Sequence, residues 1–457
     1  MAPPPAIYQN DQSYSESCLH ETYQESLKKS SHYEIVLSTS SGASDSRSLI
    51  NEALINRTSD IDHESCDAGE EDSFFVCDLG EVSRSLDLWK QKLPQVQPFY
   101  AVKCNTNLEI IKLLASSGCN FDCASKSEID TVLSLGVSPD RIVYANPCKT
   151  NSFIRHSANR QISLTTVDNA QELYKLQKFH PTCGILIRIA TDDSTAQCQL
   201  SSKFGCSLDA AVNELLPLAH DLGLNVRGVA FHVGSGAKDF TAIHRAVREA
   251  RQIFDTAISQ YGYGESMNVL DIGGGFERSS FHESSFEVNM ALREYFPAEY
   301  SRKQKVRFIA EPGRFMVSKA FTLATHVIAR RDNFKAEADQ VPAMLYINDG
   351  VYGNLNCILF DHYNPKPFVL CHNNKFFYLD QENEIEIDAN ANGTHLFSIW
   401  GPTCDGLDCV SKQTNFVSDV HVGDWLYFPE VGAYTLAATT SFNGFSGNAE
   451  IVYVCSE

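Results

Sequence analysis

The sequence predicts an α/β protein, a (β/α)8 barrel of the TIM type followed by a β-rich domain. Three observations carry that reading. Short apolar runs between Phe99 and Ala310 alternate with segments whose apolar residues recur at helical spacing. Nearly every one of those runs ends on a polar or glycine residue, as strand ends at a catalytic barrel mouth do. Beyond Arg314 the texture changes to strands, aromatics and turns.

In chain order, residues 1–45 are rich in Ser, Gln, Glu and Tyr without periodicity and read as a mobile polar tail. Ser48 to Asn56 can begin an ordered helix. An acidic loop from Asp60 to Asp72 then precedes a short strand at Phe74 to Cys77, which either leads into the barrel or joins the later domain. The barrel is expected over 79–319. Its strands are Phe99–Val102, Asn120–Cys123, Arg141–Ala145, Leu164–Val167, Ile185–Ile189, Val226–Val233, Val269–Ile272 and Arg307–Ala310. Intervening stretches such as Lys126–Leu135, Ala170–Lys178 and Thr241–Tyr261 are long enough for right-handed crossovers. After them come strand-like runs at Ala320–Ile328, Ala343–Ile347, Phe376–Leu379, His395–Trp400, Trp425–Pro429 and Ile451–Val454.

The chain has 457 residues, 43% of them hydrophobic, and a net charge of −20. That length supports two domains and a large core. That charge argues against nucleic acid or an anionic membrane as a partner, and it suits cationic small molecules. Fifteen cysteines are spread through the chain, none of them in a Cys-x-x-Cys pair, so free thiols in a reducing cytoplasm are expected and no metal centre is.

Lys103 ends the run Pro98-Phe99-Tyr100-Ala101-Val102. A lone lysine at a strand end usually snorkels to solvent, but this one keeps company. Asp271-Ile272-Gly273-Gly274-Gly275-Phe276 lets backbone N–H groups approach an anion without Cβ obstruction. Glu311-Pro312-Gly313-Arg314 sets a carboxylate at the last strand end and a guanidinium three residues on. Pyridoxal 5'-phosphate offers an aldehyde for the lysine, a ring nitrogen for the carboxylate and a phosphate for the glycines and arginine. A protonated ring makes it an electron sink, favouring decarboxylation or racemisation at Cα. His232 can stack on such a ring. In the β domain, Cys404 sits beside Asp405 in a Gly/Pro turn, where a thiol can deliver a proton to a carbanion. Asp405 and Asp361 can bind a distal ammonium.

These residues fall in the motifs PFYAVKCN from Pro98, FDCAS from Phe121, YANPCK from Tyr144, LIRIATDD from Leu186, KFG from Lys203, FHVGSG from Phe231, DIGGGF from Asp271, EPGR from Glu311, NDGVYG from Asn348 and WGPTCDGLD from Trp400. From about Ser48 to the C-terminus the chain resembles the eukaryotic ornithine decarboxylases, pyridoxal-phosphate enzymes of the alanine-racemase-like barrel fold. Phe360 and Cys409 look like the fungal branch. The resemblance implies a β domain drawn from 46–78 and 320–457, with the barrel inserted between. It implies that Lys103 carries the cofactor, that Glu311 pairs with the ring nitrogen and that His232 stacks on the ring. Ser235, Gly273, Gly274, Gly275, Arg314 and Tyr434 would hold the phosphate, and Asp122, Glu128 and Arg188 would support lysine and ring. Asp361 and Asp405 would receive the ornithine ammonium, Phe442 its methylenes, and Cys404 would protonate Cα.

The resemblance further implies an obligate homodimer with shared sites, in which Cys404, Asp405 and Asp361 reach the other subunit's barrel and Lys203 pairs with Asp408 across the interface. L-Ornithine would be the substrate and putrescine the product, the first step of polyamine biosynthesis. Antizyme, recognised around Asn151 to Tyr174, and through it the proteasome, would be partners. Two alternatives are a lysine/ornithine decarboxylase of broader specificity and a non-catalytic antizyme-binding homologue; intact Lys103, Asp122, Arg188, Arg314, Asp361 and Cys404 speak against the latter.

Overall fold

The structure, a computed structural model, describes residues 45–457 except 237–238, 334–340, 381–393, 446 and 448. The expected N-terminal tail therefore lies outside the described residues, apart from Asp45. Eight parallel strands close into a barrel: β2 (Val96–Ala101), β3 (Asn120–Cys123), β4 (Ile142–Tyr144), β5 (Leu164–Val167), β6 (Gly184–Arg188), β7 (Asn225–Ala230), β8 (Val269–Asp271) and β9 (Arg307–Ala310), with β9 pairing back onto β2. The strands are buried on both faces, which is why they read as apolar runs without alternation. Phe99, Val143, Leu186, Ala230, Val269 and Ile309 belong to one buried cluster contributed by six different barrel strands.

The helices between them start where the sequence supplies an acceptor. Asn107 accepts from the backbone N–H of Glu109 and Ile110, Ser125 from Glu128 and Asn169 from Glu172. The longest, Thr241–Tyr261, stops at Gly262 in the left-handed conformation (φ 66°). No helix among the described residues is long and apolar enough to cross a membrane.

A second sheet has nine strands. Along its main path the order is β13 (Lys375–Phe376), β12 (Phe368–His372), β16 (Trp425–Phe428), β10 (Phe321–Asp332), β11 (Ala343–Ile347), β14 (His395–Trp400) and β15 (Cys409–Phe416). The strand whose allegiance the sequence left open, β1 (Phe74–Asp78), belongs here. It pairs antiparallel with β10 and parallel with β17 (Glu450–Val454). The helix Leu79–Lys92 then enters the barrel, while Ser46–Thr58 packs on β1 and β17. Asp78, wholly buried, fastens this junction: its carboxylate accepts from Gly80 N (2.9 Å), Ser46 Oγ (2.6 Å), Ser456 N (2.9 Å) and Ser456 Oγ (2.6 Å), and pairs with Arg84.

Candidate active site

Lys103 lies in the single 3-10 turn Val102–Cys104 that follows β2, so the strand aims its side chain out of the barrel end. Its amine donates to Asp122 Oδ2 at 2.5 Å, from the adjacent strand β3. The side chain is 42% exposed, open to an incoming carbonyl compound from the mouth, while Asp122 is fully buried. Burial alone would lower the ammonium's pKa; the Asp122 and Glu311 carboxylates outweigh it and raise it.

Behind the lysine stand further acids. Asp271 ends β8, its Oδ1 accepting from Gly273 N at 2.9 Å, and Glu311 follows β9, its backbone N–H donating to Gly273 O at 2.7 Å. Burial and mutual repulsion with Asp271 push Glu311 well above the carboxylate range. Burial likewise drives Asp271 to about 7. Asp122 Oδ1 and Asp271 Oδ2 are buried without a hydrogen-bond partner among the described residues. His232 is neutral, its pKa held well below ordinary by burial and by Arg188 and Lys103. Its Nδ1 accepts from Gly234 N at 3.0 Å, which leaves the proton on Nε2.

The glycine strap runs alongside. Gly273 and Gly275 take φ of 65° and 91°, and a Cβ on Gly274 would meet both Glu311 O and His232 Nε2 at 2.8 Å. Lys103, His232, Ser235, Gly275, Glu311, Arg314 and Tyr434 line one cavity. Arg314, opening the short helix Arg314–Val317, lies 5.3 Å from the Tyr434 ring centroid and is ion-paired with Asp361. Arg188 ends β6 over Phe204, and Glu128 accepts from Ala124 N at 2.6 Å. The buried acids outnumber the cations beside them and leave carboxylate oxygens idle, and the strap offers a phosphate cradle. The donor set fits a protonated pyridine with a phosphate tail.

Not every expected residue joins this cavity. Asp361, expected to reach the other subunit's barrel, caps the C-terminus of the short helix Cys357–Phe360 and pairs with Arg314 of its own chain. Asp408 is buried and accepts from Val351 N (2.9 Å), Thr403 N (3.0 Å) and Thr403 Oγ1 (2.7 Å) of its own chain, a set of bonds that the expected pairing with Lys203 left out. Cys404, Asp405 and Phe442 form a separate group on the second sheet's loops. There Tyr352 Oη donates to Asp405, Phe442 stacks on Tyr352 with centroids 4.6 Å apart, and Cys404 N donates to Asn443 Oδ1 at 2.9 Å. Cys404 is exposed, and the Tyr352 bond lowers the Asp405 pKa. Sequence reasoning missed Tyr352, Asp271 as an acid of the site, and Cys198, whose thiol lies 3.8 Å from Asp361 Oδ1. Tyr352 and Asp271 lie inside motifs that were legible, NDGVYG and DIGGGF.

A barrel whose mouth joins a lysine, buried acids and a phosphate cradle is that of a pyridoxal-phosphate enzyme, and residues 79–318 match the family model "Pyridoxal-dependent decarboxylase, pyridoxal binding domain", which makes it a decarboxylase. The chain is 57% identical over 423 residues to the ornithine decarboxylase of Candida albicans, covering 89% of each chain. It is 54% identical to that of Saccharomyces cerevisiae, over 89% of this chain and 86% of the relative. Among solved structures it superposes on the Paramecium bursaria Chlorella virus arginine decarboxylase bound to agmatine with a TM-score of 0.75 and 33% identity, over 89% of this chain and all of the other. The chain belongs to the ornithine decarboxylase family, in its fungal branch.

Proposed function

We propose that the protein decarboxylates L-ornithine to putrescine and CO2. The single observation that carries the chemistry is Lys103 on Asp122, in a cavity floored by Glu311 and walled by the glycine strap. Pyridoxal phosphate, when bound, supplies a sink for the electron pair left at Cα as CO2 departs. Lys103 is the residue that would hold it, with Asp122 accepting the Nζ proton. The raised carboxyl of Glu311 would pair with the ring nitrogen, and neutral His232 would pack on the ring. Arg314, Ser235, Tyr434 and Gly273 to Gly275 would hold the phosphate.

Substrate selection rests on carboxylates. Asp361 at the mouth, together with Asp405 from a second copy, attracts a distal ammonium and repels a distal carboxylate. Phe442, 43% exposed beside Asp405, supplies the apolar surface for the methylenes. The Cα–carboxylate bond breaks, and the Sγ proton of Cys404 of the partner subunit passes to Cα. Water then restores the thiol. The exposure of Cys404 and Phe442, with half-buried Asp405 beside them, away from their own chain's cavity supports a homodimer in which each subunit completes the other's site. Partly exposed Phe153 and Tyr174 support the 151–174 face as the antizyme contact, and loss of co-purification in a Phe153→Ala, Tyr174→Ala double variant tests it.

CO2 release from ornithine and lysine, measured side by side, decides the substrate. One methylene is worth about 1–3 kcal/mol in a pocket, so kcat/KM should favour ornithine by about tenfold or more. Equal values would make this a lysine/ornithine decarboxylase, and no release from either would leave a binding protein.

A further inference from the structure

The acidic loop before β1 carries three unlike ligand-type side chains. A ring nitrogen of His63, the thiol of Cys66 and a carboxylate oxygen of Glu71 all lie within 4.8 Å of one another. Beneath them is His326 of β10, with a side chain only 5% exposed and neither ring nitrogen hydrogen-bonded among the described residues. Its ring stacks on His63, centroids 4.2 Å apart and planes within 2°. Both imidazoles turn Nδ1 toward the same atom, Glu71 Oε2: His63 at 2.8 Å and His326 at 3.7 Å. A buried imidazole without partners is a desolvation cost that calls for a reason.

The backbone on either side is already fixed. Asn348, just after β11, accepts from His326 N at 2.8 Å and donates through Nδ2 to Glu71 O at 2.7 Å, while its own N–H donates to His326 O at 3.1 Å. One side chain thus locks the strand bearing the buried histidine to the loop bearing the other donors, the kind of outer support that orients metal ligands.

We propose that His63, Cys66, Glu71 and His326 bind a divalent transition-metal ion of the zinc class, which clasps the loop onto β10. Two imidazoles, a thiolate and a carboxylate suit zinc and exclude magnesium or calcium, which take oxygen ligands. Bonds of about 2.0–2.3 Å put tetrahedral ligand atoms about 3.3–3.8 Å apart, so binding draws the His63, Cys66 and Glu71 atoms closer than their present 4.8 Å and swings the His63 ring out of its parallel stack on His326. His63, Cys66 and Glu71 are partly exposed, giving the ion an entry path, and Cys66 loses its thiol proton to solvent on binding.

The test uses the full-length holoenzyme, equilibrated with Zn2+ and then dialysed against metal-free buffer. Mass spectrometry should find about one zinc per chain. Cys66→Ser and His63→Ala, both on the loop, should each lower it at least tenfold while ornithine decarboxylation persists, which shows that the variants fold. Cys404→Ser should retain the ion. With Co2+ in place of zinc, a thiolate-to-cobalt charge-transfer band should appear and vanish in Cys66→Ser. No retained ion in the parent protein, or undiminished zinc in both loop variants, overturns the proposal and leaves a hydrogen-bonded cluster.

Discussion

At the scale of single residues, the catalytic cavity is defined by an excess of buried carboxylate. Asp271, at about 7 when folded, has an ordinary value near 3.9 when unfolded. Between those values the folded chain binds the extra proton, so this residue makes stability fall as pH rises from about 4 to about 7. For cofactor-free protein, Asp271→Asn removes that component. The wild type should therefore lose Tm relative to the variant between pH 5 and pH 7.5, and parallel Tm profiles would contradict the assignment. Lys103, Glu311, Arg314 and the glycines were legible because each sits at a strand end inside a recognisable motif. Asp271 stood in the same motif as Gly273 to Gly275. What the motif does not carry is that its carboxyl shares a dry space with Glu311, since that depends on β8 and β9 being neighbours.

Elements of the barrel could be read from the sequence because each strand is a local apolar run and each crossover helix is locally amphipathic. The second sheet was less legible. Neither β12 nor β15 stood out as a run: β15 (CVSKQTNF) carries an unbroken polar stretch from Ser411 to Asn415 at an edge, and β12 is five residues long. The place of β1 between β10 and β17 is set by partners far along the chain, which no local pattern encodes. Asp78 stabilises that arrangement through four hydrogen bonds spanning Ser46 to Ser456. Asp78→Ala leaves those buried donors unmatched and should lower unfolding free energy by about 1–3 kcal/mol. Urea denaturation measures it, and an unchanged midpoint would show that the junction is held by packing alone.

For the whole molecule, the separation of Lys103 from Cys404 within one chain has a quantitative consequence. In the homodimer proposed above, mixed and reassociated Lys103→Ala and Cys404→Ala subunits would give half heterodimers by random pairing, each with one intact site. Activity should return to about a quarter of wild type. Two inactive parents that stay inactive after verified exchange would place both residues in one subunit's site. Subunit origin is the property that motifs disclose least, as Asp361 shows: it lies in a loop of the second sheet like Cys404, yet the chain returns it to its own Arg314. The pairing of β1 with β17 also bears on synthesis. A growing chain emits β1 long before its parallel neighbour, residues 74–78 against 450–454. The barrel, whose strands pair mostly with near neighbours in sequence, can assemble while translation continues. The second sheet cannot be completed until β17 has left the ribosome, so termination before Glu450 turns the buried strand β1 into a sheet edge, whose bared backbone can recruit other chains.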